Sequence, residues 1–209
     1  MGKNWSADEC TKCGNLIYYG GKNPCCDEPS EEEMLHHLEE LDRKRERAEL
    51  YILNAYNEIL EQQLSSCAGS KENLIDVAMH DLDFHAAIWE ASTEILPALE
   101  VQVVIDGKNN CFVTTGSSGY VEFGMKPPVG MTLPIRCWIH THPFGSAYFS
   151  GTDIRTVSIW ETNMECAYVL GGEGHYGYWN QTNPKQLEIY RNKDDVERIQ
   201  TWKKGDEEE

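Results

Sequence analysis

Residues 135–142 alternate in character with a period of two: Ile135, Cys137, Ile139 and Thr141 on one side, Arg136, Trp138, His140 and His142 on the other. Side chains of an extended strand point alternately to its two faces, so this run predicts a strand with one apolar face turned to a core and both histidines on the opposite face. Pro143 follows at once, and a short stretch with Tyr148 and Phe149 leads to Ser150, Gly151 and Asp153 at the head of a helical pattern over 152–161. A strand, a short loop and a helix start are thereby fixed in order. His140 and His142 can both reach one metal ion, and a carboxylate in the first turn of the helix, Asp153, supplies a third ligand. Three protein ligands with the fourth tetrahedral position left to water is the layout of a catalytic rather than a structural zinc.

The rest of the chain falls into three stretches. Residues 1–29 hold Cys10, Cys13, Cys25 and Cys26, four of the eight cysteines. Cys10-x2-Cys13-Gly14 followed by a second cysteine-bearing turn has the spacing of a small zinc knuckle, a second and structural metal site, with His36 as an alternative to Cys26 for the fourth ligand. A free-thiol tail is the competing reading. Residues 30–66 open on Ser30-Glu31-Glu32-Glu33, a capping box. Met34, Leu38, Leu41, Ala48, Ile52, Ala55 and Ile59 then recur at helical spacing, broken only by Arg45. The pattern predicts one long helix, its apolar stripe serving either a homodimer or its own domain. Residues 72–205 read as mixed α/β: a short strand over 74–79, a helix over 81–95, strands over 101–105, 111–115, 120–125, 135–141, 166–170, 176–179 and 186–190, and a terminal helix over 194–203.

Composition excludes more than it assigns. With a formal charge of −17, the 209-residue chain lacks the basic surface that displaces counterions from a nucleic-acid backbone. No run of apolar residues is long enough to cross a bilayer, and residues 1–5 lack the apolar core of a signal peptide, which predicts a cytoplasmic protein that binds no membrane. Cys111, Cys137 and Cys166 lie in strand-like runs, where the ordinary role is a small buried hydrophobe. His80 and His85 read as helix-surface or capping residues, and His175 as part of a hairpin turn beside Gly171–Gly174.

His140-x-His142-x7-Ser150-x2-Asp153 resembles the motif of the JAMM (MPN+) zinc metalloproteases in each specified position. The helix over 81–95, the link Leu96-Pro97-Ala98-Leu99-Glu100 and the strand after it are similar to that family's first helix and the strand opened by its active-site glutamate. The resemblance covers roughly residues 72–190. It implies an MPN-type mixed α+β sheet flanked by helices, preceded here by the long helix and the Cys-rich segment. It further implies one catalytic Zn2+ held by His140, His142 and Asp153, with Glu100 as the general base for a zinc-activated water and Ser150 as hydrogen-bond donor to the oxyanion. Glu122 competes with Glu100 for the role of base. The implied activity is that of a peptidase or isopeptidase acting on a protein substrate, a ubiquitin-like modifier or its conjugate. Hydrolysis of small or cell-wall peptides by the same chemistry, and a noncatalytic scaffold assembling through the long helix, are the rival readings.

Overall fold

The computed structural model describes residues 7–9, 16–18, 31–66, 78–96, 98–116, 128–182 and 200–201. Two compact units divide the chain at residues 42 and 43. In the first, β1 (Ala7–Glu9) and β2 (Leu16–Tyr18) pair antiparallel, Ala7 opposite Tyr18 and Glu9 opposite Leu16. Cys10, Cys13, Cys25 and Cys26, and with them the expected zinc knuckle, lie outside the described residues, as does Glu122.

Helix α1 (Glu31–Ser66) runs for 36 residues. Within the second unit its buried positions are Ala48, Ile52, Tyr56 and Ile59, spaced by four, four and three so that they share one stripe. That stripe packs on α2 (Leu82–Glu90), where the ring of Phe84 lies 5.2 Å from that of Tyr56. Of the two uses foreseen for the stripe, residues 48–59 serve their own domain. Leu38, nearer the start, is exposed. Asp81 caps α2 by accepting from the amides of Asp83 and Phe84, which removes two of the unsatisfied donors of a helix start. The last turn, Ala91–Ile95, widens to a π-helical turn closed by the Leu96 amide donating to the Ala91 carbonyl.

The sheet is built from β3 (Val101–Asp106), β4 (Cys111–Thr115), β5 (Ile135–Thr141), β6 (Met164–Leu170) and β7 (His175–Asn180), extended by the two residues of β8 (Gln200–Thr201). Its order is β4-β3-β5-β6-β7-β8, giving a mixed α+β fold. All neighbours are antiparallel except β5 and β6, which run parallel with His140 opposite Val169. A parallel pair needs a crossover connection, and here it is α3 (Gly151–Trp160).

Alternation sorts the sheet into two buried layers. Val101, Val103, Ile105, Cys137, Ile139, Cys166, Tyr168 and Leu170 face α1 and α2. Val104, Trp138, Ala167, Val169 and Trp179 join Val157 of α3 on the other side. The alternation in β5 is therefore real, but the expectation of a single core-facing side is not met. Trp138 and His140 are as buried as Cys137 and Ile139, because α3 covers the face that carries the ligands.

Three further expectations differ from the structure. Ala78 is helical and Met79 lies in a turn, so the strand expected over 74–79 does not extend to its end. Gln200 and Thr201 pair with β7 where a terminal helix was expected. His85 is wholly buried rather than on a helix surface. Its Nε2 lies 3.0 Å from the Met79 carbonyl and its ring 4.5 Å from that of Tyr168, and burial pushes its pKa down to about 4. No helix among the described residues is long and apolar enough to cross a membrane.

Packing of α1 on the sheet domain makes a clear stability prediction. Ile52→Ala should cost about 2–5 kcal/mol in chemical denaturation, by lost burial and the cavity left behind. Leu50→Ala, on the exposed side of the same helix, should change stability by no more than about 0.5 kcal/mol.

Candidate metal centre

The centre lies where β5 ends. His140 is held inside the sheet, opposite Gln102 on one side and Val169 on the other. The His142 amide donates to the Leu170 carbonyl at 2.8 Å, so strand geometry persists one residue beyond Thr141 and keeps both imidazoles on the same side. The chain then turns back: the Gly145 amide donates to the His142 carbonyl at 2.9 Å, and the Gly172 amide to the Gly145 carbonyl at 3.0 Å. This loop lies directly against the end of β6. A Cβ on Gly171 would sit 2.2 Å from the Ala147 nitrogen and 2.7 Å from the Ser146 carbonyl carbon, so only glycine permits the approach.

Ser150 ends the loop and caps α3. Its hydroxyl accepts from the Asp153 amide at 3.3 Å, while its own amide donates to Asp153 Oδ2 at 2.6 Å, a reciprocal capping box. The box turns the Asp153 carboxylate back toward β5. Oδ1 lies 3.2 Å from His140 Nε2, and Oδ2 lies 3.5 Å from His142 Nε2. One donor atom from each of the three residues lies within 4.8 Å of the others, the one such group found among the described residues.

These separations fit a shared cation better than direct hydrogen bonds. They exceed the roughly 2.7–2.9 Å of a charge-assisted N–H···O bond. One atom from each of the three side chains lies close enough to the others for a single ion to draw on all three. His140 supplies the sharper sign. It is buried, stacked on Trp138 at 4.4 Å and 16°, and neither ring nitrogen has a hydrogen-bond partner among the described residues. The Tyr168 backbone and the Asp153 carboxylate are near enough to act on the ring electrostatically, but neither meets hydrogen-bonding geometry. A buried polar atom without a partner is costly, and a nitrogen lone pair aimed at a carboxylate and a second imidazole is relieved by a cation. Two nitrogens and an oxygen in this arrangement suit zinc.

Electrostatics divide the two histidines. Burial dominates at His140 and holds its pKa below the ordinary 6.5 against the pull of Asp153, so the ring is already neutral, as a ligand must be. Burial also opposes a charge on His142, but Asp153, helped by Glu100, outweighs it and raises the pKa above 6.5. At Asp153 burial works the other way. The two histidines and the Ser150 side chain overcome it and hold the carboxyl well below the usual range.

Glu100 lies one residue before β3 and is 7% exposed, close enough to His142 to favour its protonated form. Its carbonyl accepts from the Gly116 amide at 2.8 Å. The structure thus brings Glu100, His140, His142, Ser150 and Asp153 to one end of the sheet. His36 is exposed on α1, and His175 starts β7. Trp138 is buried beneath His140 with its indole N–H donating to Gln102 Oε1 at 3.1 Å. Tyr148 does border the site: it is 48% exposed, with its ring 5.5 Å from that of His142. Gln102 and Gly171 were not foreseen. Gln102 is an ordinary polar residue in a strand, and a close backbone approach leaves no mark on a glycine in a glycine-rich run. Neither a protein-family model, nor a curated protein, nor a solved structure matches the chain.

The geometry predicts one-to-one zinc binding measurable by calorimetry or competition with a chromophoric chelator. His140→Ala and Asp153→Ala should each weaken it by more than the roughly 10–100-fold that loss of an orienting partner costs. Gly171→Ala should displace the loop and weaken binding roughly tenfold. Affinity should fall as pH drops below the raised pKa of His142, by about tenfold per unit for the one proton displaced.

Proposed function

We propose that the chain is a zinc-dependent peptidase or isopeptidase of the JAMM (MPN+) type, its domain an MPN-type fold, acting on the extended C-terminal tail of a ubiquitin-like modifier joined to another protein. The observation that carries this reading is the convergence of the buried His140 imidazole with His142 and Asp153 at the mouth of a crossover helix. Zinc bound by these three residues would supply a water acidic enough to attack near neutral pH and would polarise the carbonyl under attack.

The remaining chemistry belongs to the chain. Glu100 takes the proton of the attacking water and returns it to the departing amine, the work of a carboxylate held beside the ligands but not among them. Ser150, whose oxygen accepts from the Asp153 amide, would donate its hydroxyl proton to the developing oxyanion. A flexible tail laid out as a strand presents one peptide group at a time, and backbone hydrogen bonds hold it without a deep pocket. Tyr148 and Phe144, both exposed in the loop between the ligands, offer apolar contact for such a tail. The scaffold reading is less favoured, since α1 spends the stripe from Ala48 to Ile59 on its own domain. A cytoplasmic setting accords with the free thiols of Cys137 and Cys166, which face each other in register on β5 and β6.

The test is turnover of modifier conjugates and modifier–peptide fusions by zinc-loaded protein. Activity should vanish with a chelator and return with zinc. Glu100→Gln should lower kcat by roughly 10²–10⁴-fold while one zinc stays bound, and Glu122→Gln should leave it near normal. Ser150→Gly, which spares most of the helix cap, should lower kcat by roughly 10²–10³-fold. Full turnover by zinc-loaded Glu100→Gln would overturn the assignment of the base. Cleavage of short peptides but no conjugate would move the substrate to small or cell-wall peptides.

A further inference from the structure

Glu100 sits on a link rather than in a regular element, between the π-helical turn and β3. Ala98, two residues earlier, has a φ of 60°, in the left-handed region that residues other than glycine seldom adopt. A catalytic carboxylate on such a segment has to be held by something other than helix or strand hydrogen bonds.

Two buried hydroxyls do this. Ser92, in the π-helical turn, donates to the Leu99 carbonyl at 2.6 Å. Thr141, the residue between His140 and His142, lies 2.9 Å from Ser92 Oγ and accepts from the Val101 amide at 2.9 Å. Both side chains are wholly buried. Each hydroxyl has one proton, which sets the direction of the chain: Val101 N–H to Thr141, Thr141 to Ser92, Ser92 to the Leu99 carbonyl. The two ends of this chain are the backbone groups on either side of Glu100. Its middle is fastened to the strand that carries the metal ligands. The Gly116 amide holds the Glu100 carbonyl itself.

We propose that Ser92 and Thr141 are positioning residues, a hydroxyl clamp that registers the Glu100 backbone against His140 and His142. The inference rests on the reading of Glu100 as general base. It assigns to the residue inside His140-x-His142 a hydrogen-bonding role on the face opposite the metal. A side chain there points away from both imidazoles, so a hydroxyl can tie the base segment to the ligand strand without competing for the ion. Displacing a catalytic group by even 1 Å costs about 10²-fold in rate, which sets the size of the effect.

The experiment compares Thr141→Val, Thr141→Ser and Ser92→Ala in the full chain, with Glu100→Gln as reference. Three readouts are taken: hydrogen exchange at the Val101 amide, zinc affinity, and kcat and KM on a modifier conjugate that the unaltered protein cleaves. Thr141→Val should speed Val101 exchange by about tenfold or more, leave zinc affinity within about threefold, and lower kcat by about 10–100-fold with KM little changed. Ser92→Ala should lower kcat in the same way. Thr141→Ser, which keeps the hydroxyl, should restore exchange and kcat. Thr141→Ser as impaired as Thr141→Val would show that the methyl group matters rather than the hydroxyl and would overturn the clamp. So would a Thr141→Val whose zinc affinity falls in step with kcat, since the hydroxyl would then be holding the ligands. Normal kcat in Thr141→Val while Glu100→Gln is inactive defeats the clamp alone. Normal kcat in Glu100→Gln defeats the general-base reading beneath it.

Discussion

Parallel pairing of β5 with β6 is the constraint on which the site depends. Antiparallel neighbours can be joined by a tight turn, but a parallel pair obliges the chain to leave the sheet, cross a face and re-enter at the starting edge. The crossover here is α3, and its first turn must begin near the end of β5. A carboxylate at the third position of that helix is thereby delivered to histidines at the end of that strand. The capping box completes the delivery. By tying Asp153 Oδ2 to the Ser150 amide it satisfies a helix donor and aims the carboxylate at His140 and His142 in the same act.

The same crossover explains why the ligands differ in their electrostatics. His140 lies within the sheet and under α3, so burial governs it. His142 lies one step outside, where Asp153 and Glu100 outweigh a weaker desolvation. Two histidines two residues apart in sequence thus have their pKa values moved in opposite directions, His140 toward the neutral ring and His142 toward the protonated one.

Local patterns made some of this legible and left other parts hidden. Alternation from Ile135 to His142 marks β5, Ile135–Thr141, because a strand between two apolar layers still keeps its period of two. It does not say that the second face is also covered; that follows from parallel pairing, a long-range property no short window contains. The spacing in α1 marked Ile52 and Ile59 as inward, yet a stripe at helical spacing is the same whether it meets a partner chain or its own sheet. His85 was misplaced for a related reason: Phe84 and Ile88 mark the buried side of α2, and its width, which takes in His85, is set by the aromatic side chains of β6 and β7 opposite. The convergence of His140, His142 and Asp153 was legible because their geometry is local, within fourteen residues of chain. Gly171 and Gln102 were not, since one is marked only by what approaches it and the other only by the indole it meets.

Three departures from ordinary packing lie at this end of the sheet. His140 is buried with no hydrogen-bond partner among the described residues, Ala98 holds a left-handed backbone, and the last turn of α2 opens to a π turn. Each is unfavourable taken alone and persists only because its neighbours leave no alternative. Trp138 and its bond to Gln102 fix the plane of His140 from below, the Ser92 and Thr141 hydroxyls hold the segment after Ala98, and the contact at Gly171 prevents the loop from lifting away. Rigid elements around one convergent donor set are what preorganisation for a metal requires: side chains already gathered lose little freedom when an ion arrives.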